Sequence, residues 1–241
     1  MKEAVIVAAT RTAIGTFQGS LSKLSAVELG TTVIRALLEQ TRVPAQTIDE
    51  VVFGQVLTAG AGQNPARQAA IHAGVPITTP SFTINKVCGS SLKAVQLAAQ
   101  SIRVGDADIV IAGGMESMSL SPYVLPGARA GLRMGHASIV DTMIVDGLWD
   151  AFNQYHMGIT AENLARRHGI TREQQDEFAA ESQRRAAAAI AAGHFVSQIT
   201  AVRVRRKTAS RPKSSAMSSR VRTPTSRHWQ RCGRLSKKTA P

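Results

Sequence analysis

The chain has 241 residues and is 44% hydrophobic, enough to bury at least one sizeable core and to form one or two domains. No apolar run approaches the ~18 residues that cross a bilayer, and the opening apolar stretch is too short for a secretory signal, so a cytoplasmic chain with no membrane partner is expected. Two cysteines, Cys88 and Cys232, exclude a disulfide framework and leave any sulfur chemistry to a free thiol.

A net charge of +13 suggests a polyanion-binding surface, but the charge is not spread over the chain. Residues 1–202 hold 16 basic and 16 acidic groups, whereas the last 39 hold 13 basic groups and no acidic one. The excess therefore belongs to the tail alone.

In chain order, the apolar β-branched run at 4–9 predicts a buried first strand leading into a loop at Gly15. Val27, Leu29, Val33, Ile34, Leu37 and Leu38 fall on one helical stripe over 26–38. A second strand is predicted from Ile48 to Leu57, then a helix over 65–73 stopped by Gly74 and Pro76. A third strand at 82–87, a helix at 90–104 and a fourth strand at 109–112 complete an α/β alternation, which argues for a layered fold with a mainly parallel sheet.

From 118 to 158 the sequence loses its period and reads as a loop-rich excursion. Two helices follow, one opened by Thr160 and ended by Gly169, the other opened by a capping box of Thr171 and Gln174 and running to Gly193. Beyond about Val204 there is no apolar face, and a disordered basic tail is expected. The expected organisation is a core over 1–117, a loop domain over 118–204 and the tail over 205–241.

The chemistry concentrates at INKVCGSSLKAV, where Cys88 falls between a strand and a helix. Gly89 permits a tight turn, and Ser90 or Ser91 is available as the N-cap. Main-chain N–H groups and the helix dipole at such a place favour a thiolate and can receive the oxyanion of a tetrahedral intermediate. The competing reading is a buried structural cysteine.

The run Ile84, Asn85, Cys88, Gly89, Ser90, Ser91, Leu92, Ala94, Val95 and Ile102 resembles the acyl-enzyme signature of the thiolase family. VAATRTAIGTFQGSL near the start, QNPARQAA, GGMESMS, DGLWDAF and YHMGITAEN resemble further family segments in the same order, over about residues 1–202. Within the family the likeness is to the acetoacetyl-CoA thiolases, the acetyl-CoA acetyltransferases. It implies an α/β thiolase-like layered fold, here an incomplete N-terminal core with an inserted loop domain for oligomerisation and coenzyme A contacts.

The resemblance makes Cys88 the nucleophile that takes an acyl group from a thioester, its own amide serving the oxyanion. It places His156 and Met157 beside the pantetheine and a small acyl pocket, makes Leu148 a coenzyme A contact, and has Met134 offered across a dimer interface. Read alone, His156 is a solvated or satisfied histidine and Met157 a gap filler. His72, His136, His168 and His194 receive no role. The expected substrates are acetyl-CoA and acetoacetyl-CoA. The expected assembly is a homodimer or homotetramer, with no cofactor, no metal and no nucleic acid.

A complete thiolase also carries an Asn-Glu-Ala-Phe segment, a Gly-His-Pro histidine and a second cysteine in a Gly-rich motif, none of which occurs here, and the last strand of the first half is not recognised either. Cys232, in QRCGRLS, is given no role. One expectation covers both gaps: a one-base frameshift near Lys207, since residues 222–241 read one base earlier permit PDTDLAALATLRPAVEEDGP, similar to the thiolase connector. The Leu and Ala opposite His228-Trp229-Gln230 are forced by those codons. Such a chain should not complete the condensation alone, because general acid–base steps worth ~10²–10⁴-fold each are lost. The rivals are a non-catalytic subunit pairing with intact thiolase chains and a basic nucleic-acid binder on an enzyme scaffold.

Overall fold

The computed structural model describes residues 2–204, which form two compact units: 2–156 together with 198–204, and 157–197. The expectations for the tail, its disorder, its frameshift and Cys232, lie outside the described residues.

In the first unit, α1 (Ala26–Thr41) opens on a capping box in which the Ser25 hydroxyl accepts from the Glu28 amide while the Glu28 carboxylate accepts from the Ser25 amide. Its buried face, Ala26, Val27, Gly30, Thr31 and Ile34, packs on α2 (Pro65–Ala73). The helices approach closely because a side chain at Gly30 would run into the Met115 sulfur and the Ala69 methyl.

Between these helices in sequence lies β1 (Glu50–Gly54), flanked on both edges by parallel strands, β2 (Ser81–Ile84) and β3 (Val110–Gly114), in the order β2-β1-β3. Val51, Val52 and Phe53 are at most 2% exposed, which is why this strand reads as a continuous apolar run rather than an alternating one. Val51 and Phe53 join the core with α1 and α2, along with Ile111 and Met115. Strand alternation turns Val52 and Gly54 to the opposite face, where α3 (Ser90–Val104) lies across β1 and β3. Expected and observed strands agree within a few residues for these three.

The first apolar run is different. Residues 4–9 form no strand, and Val5, Ile6 and Val7 are 68%, 78% and 80% exposed. The buried first strand is therefore corrected: among the described residues the sheet has only the three strands β2-β1-β3, and the run pairs with neither outer edge. Its start is tied to the loop before β3 by an ion pair of Lys2 with Asp108 at 2.5 Å. Just past its end, Arg11 forms a parallel bridge with Ile199, through Arg11 N–H to Gln198 O (2.9 Å) and Thr200 N–H to Arg11 O (2.8 Å). That long-range return has no signal in the sequence pattern.

After β3 the chain takes the irregular path that its composition suggests. Two short antiparallel pairs, β4 (Tyr123–Val124) with β5 (Val140–Asp141) and β6 (Trp149–Asp150) with β7 (Tyr155–His156), enclose a π-helical turn at Met143–Leu148. Thr142 is 2% exposed and anchors this region by donating to Pro122 O at 2.5 Å.

The second unit holds α4 (Met157–His168) and α5 (Arg172–Ala191). The former starts three residues earlier than expected, and the latter has the expected box of Thr171 with Gln174. On α5, hydrogen bonds from Arg184 and Arg185 pull the Glu181 carboxyl down to about 2. No described helix is long and apolar enough to cross a membrane.

Candidate active site at Cys88

Between β2 and α3 the chain reverses in five residues. Val87 sits in the left-handed region at φ +47°, a conformation that costs a β-branched residue on the order of 1–3 kcal/mol. A lattice of short hydrogen bonds holds it there. Val87 N–H donates to Asn85 Oδ1 at 2.8 Å, Lys86 N–H to Ser90 Oγ at 2.8 Å, and Ser90 Oγ–H to Val87 O at 2.6 Å. Gly89 and Ser90 N–H close the turn onto Lys86 O and Val87 O, both at 3.1 Å.

The residue presented by this elbow is Cys88, an exposed free thiol. That sets aside the alternative of a buried structural cysteine. The N-cap of α3 is Gly89, which supplies no side-chain cap, so neither serine plays the expected capping part. Ser90 turns back into the elbow instead, and with the Gly89 and Ser90 N–H groups spent inside the turn, what the start of α3 offers beside the thiol is the end of its dipole.

The elbow rests on a floor of two glycines. A methyl group at Gly54 would lie 2.6 Å from Ser90 C and Cβ and 2.7 Å from Ser91 N, and one at Gly114 would collide with Ser91 Oγ. Both glycines end adjacent strands in register, Gly54 opposite Gly114. Their bare Cα atoms let the start of α3 sit directly on the sheet. Glu116 secures the same strand ends, its Oε2 accepting from Val56 N–H (2.9 Å) and Leu57 N–H (3.1 Å).

Asn85 reaches the other way, donating to Val56 O at 3.4 Å. It also lines an open cleft of about 440 Å³ with Gln55, Asn64, Phe82, Thr83 and Ile84. Gln55 is 3% exposed and donates to Leu57 O at 2.8 Å, while its Oε1 has no protein partner.

The remaining expected site residues lie downstream. Leu148 closes the π-helical turn, and the next residue, Trp149, pairs with His156 across the β6–β7 ladder, so Leu148 and His156 share one hairpin. A Cβ on neighbouring Gly147 would touch Leu57 Cδ2 at 3.3 Å, which seats this hairpin on the loop after β1 that Asn85 also contacts. Met157 begins α4, on the far side of the boundary between the two units. Met134 stands 99% exposed in the loop between residues 131 and 139, amid Gly131 and Gly135 at positive φ. The structure thus sets Leu148 at the start of the hairpin that holds His156, with neighbouring Gly147 against Leu57, and it leaves Met134 apart.

The hairpin turn depends on Asp150, whose carboxylate accepts from the Asn153 side chain (2.8 Å) and from the N–H groups of Phe152 (2.8 Å) and Asn153 (3.0 Å). These bonds hold its pKa below the ordinary carboxylate value. A depressed pKa stabilises the fold above the unfolded-state value and ceases to do so as pH falls through the folded one. Hydrogen exchange at the Phe152 and Asn153 amides is therefore expected to be slow at neutral pH and to accelerate, beyond the chemical trend, only on the acid side of the usual carboxylate range. Asp150→Asn should remove that pH dependence.

Sequence reasoning missed Gly54, Gly114, Glu116 and the turned-back Ser90. The glycines left a trace: each ends a strand run, in VVFG and IAGG, where a backbone must approach another closely.

A thiol raised on a strained strand-to-helix elbow, above a glycine floor and at a helix start, has the exposure and placement that a cysteine nucleophile requires. The chain matches the thiolase N-terminal domain over residues 4–224 and belongs to the thiolase family. It is 66% identical over 204 residues to an acetyl-CoA acetyltransferase of Pseudomonas aeruginosa, covering 85% of this chain and 52% of that protein. It is also 65% identical over 202 residues to an acetyl-CoA acetyltransferase of Chromobacterium violaceum and 58% identical over 202 to a probable acetyl-CoA acetyltransferase of Escherichia coli, in each case over 84% of this chain. The chain spans about half the length of these relatives.

Proposed function

We propose that this chain is the acyl-accepting half of an acetyl-CoA acetyltransferase. The observation that carries the reading is the exposed Cys88 thiol at the mouth of α3. Its sulfur, as thiolate, attacks the carbonyl carbon of acetyl-CoA. A carbon–sulfur bond forms to Cys88, the charge passes to the carbonyl oxygen near the Cys88 amide, and the bond to the coenzyme A sulfur breaks. Coenzyme A leaves as a thiolate and takes up the proton that the cysteine gave to solvent. Because one thioester replaces another, the step is nearly balanced and reversible.

Leu148, His156 and Met157 are assigned to the coenzyme A arm and the small acyl group, and Met134 to a partner copy in a dimer or tetramer. In the full-length reaction a second acetyl-CoA, deprotonated at its methyl carbon, takes the acetyl group from Cys88, giving acetoacetyl-CoA. The residues that the family resemblance implies for activating the cysteine and removing that proton do not occur among these 241 residues, so acyl exchange is the step proposed for them.

The test is exchange of labelled coenzyme A into acetyl-CoA, a partial reaction that needs only the acyl-cysteine step. Label should enter acetyl-CoA faster than in protein-free buffer, and Cys88→Ala should return the rate to that background. Equal rates for the two chains would remove the reading.

A further inference from the structure

We propose that Ser90 is a positioning residue for Cys88, its hydroxyl locking the left-handed Val87 so that the thiol is presented outward. Two positions past the cysteine, it bonds to both residues preceding it, accepting from Lys86 N–H at 2.8 Å and donating to Val87 O at 2.6 Å. These bonds close a ring with Cys88 at its apex. Ser90 is 4% exposed and supplies no cap to α3, so the hydroxyl is committed to the elbow. The adjacent Ser91 hydroxyl instead lies against Gly114.

Val87 is one of five described non-glycine residues at positive φ, and among them the one that is β-branched. Asn85 binds its N–H and Ser90 its carbonyl, so both ends of the unfavourable residue are fixed. Removing the hydroxyl takes away the shorter of the two bonds to the Val87 carbonyl, leaving the Ser90 N–H at 3.1 Å alone on it, and leaves the Lys86 amide without its acceptor. Val87 then returns toward negative φ and swings Cys88 with it.

This inference rests on the acyl-acceptor reading for its purpose, but alkylation by iodoacetamide tests it without coenzyme A. The readout is the alkylation rate of Cys88 in the folded chain relative to the same chain unfolded in urea, at one pH. Ser90→Ala should lower that ratio about tenfold, less than the ~10²-fold that a full 1 Å misplacement of a reacting group can cost. Adding Val87→Gly should restore most of it, because glycine adopts positive φ without a lock. A serine that merely fills space would not be rescued this way.

A wild-type ratio in Ser90→Ala, or a double variant as slow as the single one, overturns the proposal. Should the variants fail to fold, the unsubstituted chain decides: slow hydrogen exchange at the Lys86 amide is expected, and exchange at the rate of an open loop contradicts the lock. A chain that alkylates as described yet takes up no acyl group supports the positioning and removes the acyltransferase reading instead.

Discussion

Replacing Gly54 by alanine is expected to lower the unfolding free energy by about 3 kcal/mol, the upper part of the range for forcing a methyl into packed structure. The added carbon would stand 2.6–2.7 Å from main-chain atoms of Ser90 and Ser91. Main chain cannot rotate aside as a side chain can, so either α3 lifts off the sheet or β1 moves. The first outcome displaces the Cys88 elbow and the second opens the core at Val51 and Phe53. A urea titration should show a lower midpoint, and Cys88 in the folded variant should alkylate more slowly than in the parent.

Gly113→Ala is the matched comparison, one residue along the neighbouring strand. There the nearest atom to a new methyl is Phe53 Cζ at 3.5 Å, an ordinary contact. It should change stability by less than about 1 kcal/mol. Equal midpoints for the Gly54 and Gly113 variants would contradict the glycine floor.

The central βαβα pattern was legible because its strands and helices carry their own signals. Val51 to Phe53 are buried on both faces and read as a run; the helix over 26–41 has an apolar stripe, and α5 has its box of Thr171 and Gln174. The first strand was misread for a physical reason: Ala4 to Ala9 have strand composition, but a strand also needs a neighbour, and neighbours are not a local property of sequence. The return of residues 198–200 to Arg11 is hidden for the same cause.

At the site, Cys88 and its place between strand and helix were readable from the residues, while its surroundings were not. Ser90 was expected as a cap because serine before a helix usually is one. Its actual use follows from the left-handed Val87, which nothing in a Lys-Val-Cys sequence announces. Leu148 and His156 came from the family resemblance, and the hairpin that joins them is a two-residue ladder too short to show a period.

The second large effect is expected at the sulfur itself. Cys88→Ala removes the atom that forms the acyl bond and little else, since the side chain is exposed and fills no core space. Stability should stay within about 0.5 kcal/mol of the parent, as for surface substitutions generally. Acyl uptake should vanish altogether rather than decline, because a serine hydroxyl without an adjacent base is a far weaker nucleophile than a cysteine sulfur, and the Ser90 hydroxyl is in any case engaged with Lys86 and Val87.

The most direct measurement is the mass of the folded chain after incubation with acetyl-CoA, followed by peptide mapping. A gain of a single acetyl group on the peptide containing Cys88, reversed by free coenzyme A and absent from Cys88→Ala, is the predicted result. An unmodified Cys88, or acetyl groups that persist in the alanine variant, would contradict it.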